Sequence, residues 1–236
     1  MTAFVGELVG TALLITLGDG VVANVVLNQS KGQNSGWIVI TFGWAIAVFT
    51  GVYASAAVSG AHLNPAVTLA LVVLGDFPVA DVPSYLLAQL LGAAIGSILV
   101  WLMYKQQFDA TSDQQSKLAV FCTIPAVRNY GANLLTETLA TFVFIFAILF
   151  ITKPEMKIGA LDALPVGLLV LGIGLSLGGP TGYAINPVRD FGPRLMHFIL
   201  PIKGKGSSDW AYAWVPIAGP LVGGLLAALV FKWISA

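Results

Sequence analysis

Charge is what this sequence lacks most: of 236 residues only 9% are Asp, Glu, Lys or Arg, against about 25% in an ordinary soluble domain. A water-facing fold cannot be built from that composition. The 11 basic and 11 acidic residues cancel, and no run of five or more Lys/Arg supplies the basic footprint of a nucleic-acid binder. With Cys122 the only cysteine, no intrachain disulfide or thiolate metal cluster can form. No nucleophile, metal cluster or phosphate-cradling loop suggests an enzyme or a cofactor. The N-terminus has no basic n-region, and its apolar run over residues 3–27 is too long for a signal peptide, so it reads as a retained first helix.

What is present is apolar length. Hydrophobic residues make up 57% of the chain, in stretches that reach the roughly 20 residues a helix needs to cross a bilayer. Polar, Gly and Pro breaks at 28–36, 75–83, 105–130, 153–164 and 203–209 separate them. Six spans are predicted, at about 3–27, 36–57, 83–105, 131–152, 163–178 and 210–234. Trp37, Trp101, Trp210 and Trp233 fall near span ends, where aromatic belts sit. Two further apolar segments, 65–74 and 187–200, are helix-like but reach only about 15 and 21 Å of a ~30 Å core. Each crosses half a membrane.

The two short segments begin alike. Gly60-Ala61-His62-Leu63-Asn64-Pro65-Ala66-Val67 is echoed by Gly182-Tyr183-Ala184-Ile185-Asn186-Pro187-Val188-Arg189, and an early glutamate opens each half, Glu7 and Glu137. Each half is three spans plus a half-helix. Three is odd, so the second half enters from the opposite side, an inverted repeat. The predicted fold is an all-α membrane protein of six transmembrane helices and two re-entrant half-helices around a central pore. It forms a single channel domain over 1–236, with repeat one about 1–105, a loop about 106–130 and repeat two about 131–236. Asn is a favoured N-cap and Pro is preorganised for the first helical turn, so Asn64-Pro65 and Asn186-Pro187 start helices. Two such N-termini meeting at mid-membrane aim two positive dipole ends at one spot. That spot opposes cations. The Asn amides offer donors there, and the stretches 60–63 and 182–185, read as extended, offer carbonyl acceptors through Gly60, Ala61, His62, Gly182 and Ala184. Irregular backbone at this depth fits only against protein or a watery cavity.

At this point the chain resembles, over essentially its whole length, the major intrinsic protein family of aquaporins and glycerol facilitators. Its paired Asn-Pro-Ala boxes correspond to Asn64, Pro65, Ala66 and to Asn186, Pro187, Val188, and the longer matches are Ser59 through Thr68 and Asn186 through Arg194. Val188 departs from the usual Ala, and altered local packing with an intact pore is expected. The resemblance implies a four-residue selectivity filter at Trp44, Gly174, Tyr183 and Arg189. Strict water channels carry His where Gly174 stands, so the set suits a polyol, with carbon against aromatic walls and hydroxyls bonded to Arg189 and carbonyls. Asp190, Arg194, Pro216 and Ile217 also match the aquaglyceroporin branch.

An ionisable residue inside a span is a functional hypothesis by default. The resemblance gives Glu7 and Glu137 a supporting role, accepting hydrogen bonds from the re-entrant loops. Asp19, near the end of the first helix, reads as interfacial, and the His62 ring as packed near the cytoplasmic vestibule. The implied function is passive diffusion of glycerol, other small uncharged solutes and water, without ions or protons. Candidate permeants include dihydroxyacetone, urea, hydrogen peroxide and undissociated lactic acid. A strict water channel and a proton-coupled small-solute transporter are the alternatives; a scaffold protein would need longer loops or tails. The resemblance further implies a homotetramer in a microbial plasma membrane with both termini cytoplasmic. Lys31, Lys105, Lys117, Arg128, Arg194, Lys203 and Lys205 then face outward while Lys153, Lys157 and Lys232 face inward, opposite to positive-inside counting.

Overall fold

The computed structural model describes residues 1–151 and 163–235; the cytoplasmic positions expected for Lys153 and Lys157 lie outside the described residues. Long apolar helices form α1 (Ala3–Val26), α2 (Trp37–Ser59), α4 (Val82–Met103), α7 (Tyr130–Ile151) and α10 (Val215–Ile234). All five meet the length and hydropathy of a membrane span, α4 with the 3₁₀ turn Val79–Asp81 that leads into it. The sixth span is α8 (Leu164–Ser176). The half-helices are α3 (Pro65–Leu74) and α9 (Pro187–Ile199).

Two boundaries differ from the sequence reading for local reasons. The last span begins at Val215, not 210, because Tyr212, Ala213 and Val215 donate to Asp209, Trp210 and Tyr212 carbonyls in tight turns, and Pro216 fits the first helical turn. The segment 106–130 is not a plain loop. It contains α5 (Lys105–Ala110) and α6 (Gln114–Phe121). Asp113 caps α6, accepting from Ser116 Oγ and from the Ser116 and Gln115 amides, and the Ser116 bonds hold its carboxyl below the usual carboxylate range. α6 packs on α1 and α9.

In each half the first helix lies against the last, α1 on α4 and α7 on α10. Small residues permit it. A Cβ at Gly92 of α4 would stand 2.4 Å from the Leu8 carbonyl oxygen, and one at Gly223 of α10 would stand 2.2 Å from that of Thr138. A Cβ at Gly96 would stand 2.8 Å from the Ala12 carbonyl oxygen, and one at Gly219 would stand 2.6 Å from Glu137 Cβ. The half-helices cross between halves: α3 packs mainly on α10 and α9 mainly on α4. Each repeat therefore completes the other's core.

Because backbone oxygen cannot yield as a side chain can, Gly223→Ala should force α7 and α10 apart at an overpacking cost of about 1–3 kcal/mol. The expected result is a lower thermal aggregation midpoint for the detergent-solubilised protein. An unchanged midpoint would show that the contact between these helices is not tight.

Candidate functional site

The half-helix caps form as their sequence demands. Asn64 Oδ1 accepts from the Ala66 amide, and Asn186 Oδ1 from those of Val188 and Arg189. Their side-chain nitrogens then cross over. Asn64 Nδ2 donates to the Ile185 carbonyl at 2.9 Å and Asn186 Nδ2 to the Leu63 carbonyl at 2.8 Å, so each cap is tied to the loop of the other repeat. An amide nitrogen carries two donors. One of each pair remains for the cavity, which both Asn residues line.

The loops before the caps are not extended. Gly60, Ala61 and Leu63 have φ of +80°, +52° and +50°, and Gly182, Tyr183 and Ile185 have +83°, +40° and +44°. Left-handed backbone costs an L-residue roughly 1–2 kcal/mol, and a β-branched residue such as Ile185 is among the least suited to it. Buried carboxylates hold the strained turns. Glu7 accepts from the His62 and Leu63 amides at 2.9 and 2.7 Å, and also from Ser59 and Gln89. Glu137 accepts from the Ala184 and Ile185 amides at 3.0 and 3.1 Å. The His62 ring sits against Thr68, Phe77 and Tyr85.

Two cavities lie among the described helices. One, about 320 Å³, is lined mostly by apolar side chains and also by Gly60, Ala61, His62 and Ala184. The other, about 280 Å³, includes Cys122, Thr123 and Gly182. Three residues line both: Trp44, Tyr183 and Arg189. Arg189 lies over the Trp44 ring, 3.9 Å from its centroid, and donates through Nη1 to the Phe121 carbonyl at 3.3 Å. Its remaining guanidinium nitrogens have no acceptor among the described residues and are not among the sealed polar atoms, so they face the cavity.

Gly174 lines neither cavity. A Cβ there would stand 2.9 Å from Tyr183 Cζ and Oη and 2.8 Å from Thr41 Cγ2, so its smallness makes room for the tyrosine ring. Trp37 braces that corner, donating to the Gly174 carbonyl and meeting the Tyr183 ring edge-on. Gly18 does the same for Trp44, whose ring would be 2.1 Å from a Cβ at that position. Nothing local in the sequence marks Gly18 or Phe121. Asp19 is not interfacial: it is fully buried, with Oδ1 3.7 Å from Arg189 Nη1 and Oδ2 accepting from Ser97. The span charge was the available signal.

Asp190 and Arg194 are fully buried and line neither cavity. Arg194 donates twice to Asp190 and also to the carbonyls of Ser208, Asp209 and Thr123. Asp190 in turn accepts from the Thr123 amide and hydroxyl, so this pair clasps the loops that follow α6 and precede α10 onto α9. Pro216 and Ile217 line neither cavity. Val188 is buried in the central apolar core.

Membrane-length helices enclosing two cavities, one lined by both half-helix caps and both bounded by Trp44, Tyr183 and Arg189, define a transmembrane channel. A family model described as Major intrinsic protein matches residues 1–231, and this chain belongs to that family. It is 58% identical over 234 residues to the probable glycerol uptake facilitator protein of Thermotoga maritima, covering 99% of this chain and all of that one. It is 56% identical to glycerol uptake facilitator protein 3 of Lactiplantibacillus plantarum, over 96% of this chain and 94% of the relative. The X-ray structure of the aquaglyceroporin from Plasmodium falciparum superposes with a TM-score of 0.87 at 32% identity, covering 99% of this chain and 96% of that one.

Proposed function

We propose that the chain is a passive channel of the plasma membrane through which glycerol, other small uncharged solutes and water diffuse, and that Trp44, Tyr183 and Arg189 are its selectivity ring. The observation that carries this is the shared lining: the same three side chains bound both cavities. They pair aromatic faces with a fixed cation. A polyol lays its carbons against Trp44 and Tyr183 while its hydroxyls accept from Arg189, so little hydration is lost without replacement. Further in, the free Asn64 and Asn186 donors and the loop carbonyls continue the exchange. Two helix N-termini at the caps oppose cations. Relatives named as glycerol uptake facilitators support the substrate.

The same ring suits dihydroxyacetone, urea, hydrogen peroxide and undissociated lactic acid, each small and uncharged with polar atoms to pair. Family membership supports one channel domain per chain, built from the two repeats and assembled as a homotetramer with a pore in each subunit. Gly174 acts on selectivity through Tyr183, by leaving space for its ring.

That geometry dictates the test. Gly174→His alone collides with Tyr183, so the informative variant is Gly174→His/Tyr183→Thr in proteoliposomes followed by stopped-flow light scattering. The expected result is fast glycerol uptake in wild type that the variant loses while keeping water flux. Fast water flux with no glycerol uptake in wild type would make this a strict water channel.

A further inference from the structure

Asp19 is a carboxylate that neither the half-helix caps nor the loop supports use. It is fully buried in α1, one oxygen, Oδ2, is held by Ser97 of α4, and the other has no hydrogen-bond partner. That free oxygen faces Arg189 Nη1 at 3.7 Å, on the nitrogen already turned toward Phe121. A buried carboxylate is retained only against a strong compensating interaction, and Arg189 is the cation within reach. Asp190, the next acidic group along α9, is taken up by Arg194 and Thr123.

We infer that Asp19 is a specificity-determining positioning residue: it neutralises Arg189 from behind, so that the ring offers directed donors to an uncharged solute without net positive charge toward an anion. This rests on Arg189 belonging to the selectivity ring. Two helix N-termini already make the centre of the pore positive, and an uncompensated guanidinium beside them would make the path attractive to small anions. Ser97 Oγ lies 3.4 Å from the carboxylate and 2.9 Å from the Ala93 carbonyl, and Gly18 next to Asp19 leaves the Trp44 ring the space to lie across Arg189. The guanidinium is thus held on one edge and one face, with its other edge free.

The experiment compares nitrate with glycerol uptake in proteoliposomes, using a potassium nitrate gradient with valinomycin to carry the counter-ion. In Asp19→Asn the ratio of nitrate to glycerol uptake should rise by at least about tenfold, the scale of a lost close charge pair. Asp19→Glu should return it toward wild type. A helix-packing role would not move a ratio that depends on the sign of charge. An Asp19→Asn ratio equal to wild type overturns the inference. If Asp19→Asn cannot be recovered folded, Asp19→Asn/Arg189→Gln decides: recovery without nitrate uptake supports the pairing, and loss equal to the single variant overturns it. Absence of glycerol uptake in wild type would instead count against the selectivity ring, while the nitrate comparison still reads the counter-charge.

Discussion

Glu137→Ala is expected to abolish solute flux and to destabilise the protein more than any other single loss of a buried side chain near the pore. The carboxylate takes the amides of Ala184 and Ile185, one of them in left-handed backbone at a β-branched residue. Without it two buried N–H groups lose their acceptor, at about 1–3 kcal/mol each, and the turn loses the interaction that offsets its strain. Ile185 would relax toward negative φ and withdraw the carbonyl that Asn64 holds. Glu7→Ala should be milder. Gln89 lies beside Glu7 with a buried side-chain oxygen that has no partner, and rotation would let it accept from the His62 or Leu63 amide. Glycerol flux per folded channel, with thermal aggregation of both variants, checks the contrast. Equal losses would mean that Gln89 offers no substitute.

Why the caps could be read from sequence while their supports could not follows from where the information lies. Asn64-Pro65 and Asn186-Pro187 announce helix starts through local chemistry, and their repetition gives the inverted architecture. The left-handed turns at Leu63 and Ile185 have no local signal, since both residue types disfavour positive φ; only acceptors far along the chain impose them. Gly174 reads from sequence as a filter member, yet it acts by leaving room for the Tyr183 ring of the loop before α9, as the unmarked Gly18 does for the Trp44 ring of α2. Asp19 meets Arg189 across 170 positions of sequence, a pairing that helix periodicity cannot announce. The helix α6 was legible in principle, through Asp113 as its N-cap, but the surrounding polar residues read as a break.

Four of the basic residues expected to face outward have structural partners. Lys117 donates to the Lys203 carbonyl, and Lys205 donates to the carbonyls of His197, Phe198 and Leu200 at the end of α9. Cations suit a helix C-terminus. Arg128 pairs with Asp209 and Arg194 with Asp190. Lys117, Lys205, Arg128 and Arg194 thus fasten the loops around α6 and α9 to one another.

Arg189→Ala is the second large effect. Truncation removes the donor between the two cavities and merges them, while the Trp44 face loses the cation that covers it. Larger polyols should then pass: the ratio of xylitol to glycerol uptake should rise by about tenfold or more, since xylitol is two carbons longer and a pocket discriminates even one methylene at about 10–200-fold only while its walls are in place. Stability should fall as well. Removing one partner of a buried pair leaves Asp19 uncompensated, a loss of about 3–5 kcal/mol, and Asp19→Asn in the same background should recover part of it. Stopped-flow reswelling with the two polyols measures the first effect and thermal aggregation the second. An unchanged xylitol to glycerol ratio would remove Arg189 from the selectivity ring, and a double variant no more stable than Arg189→Ala would mean that Asp19 does not depend on it.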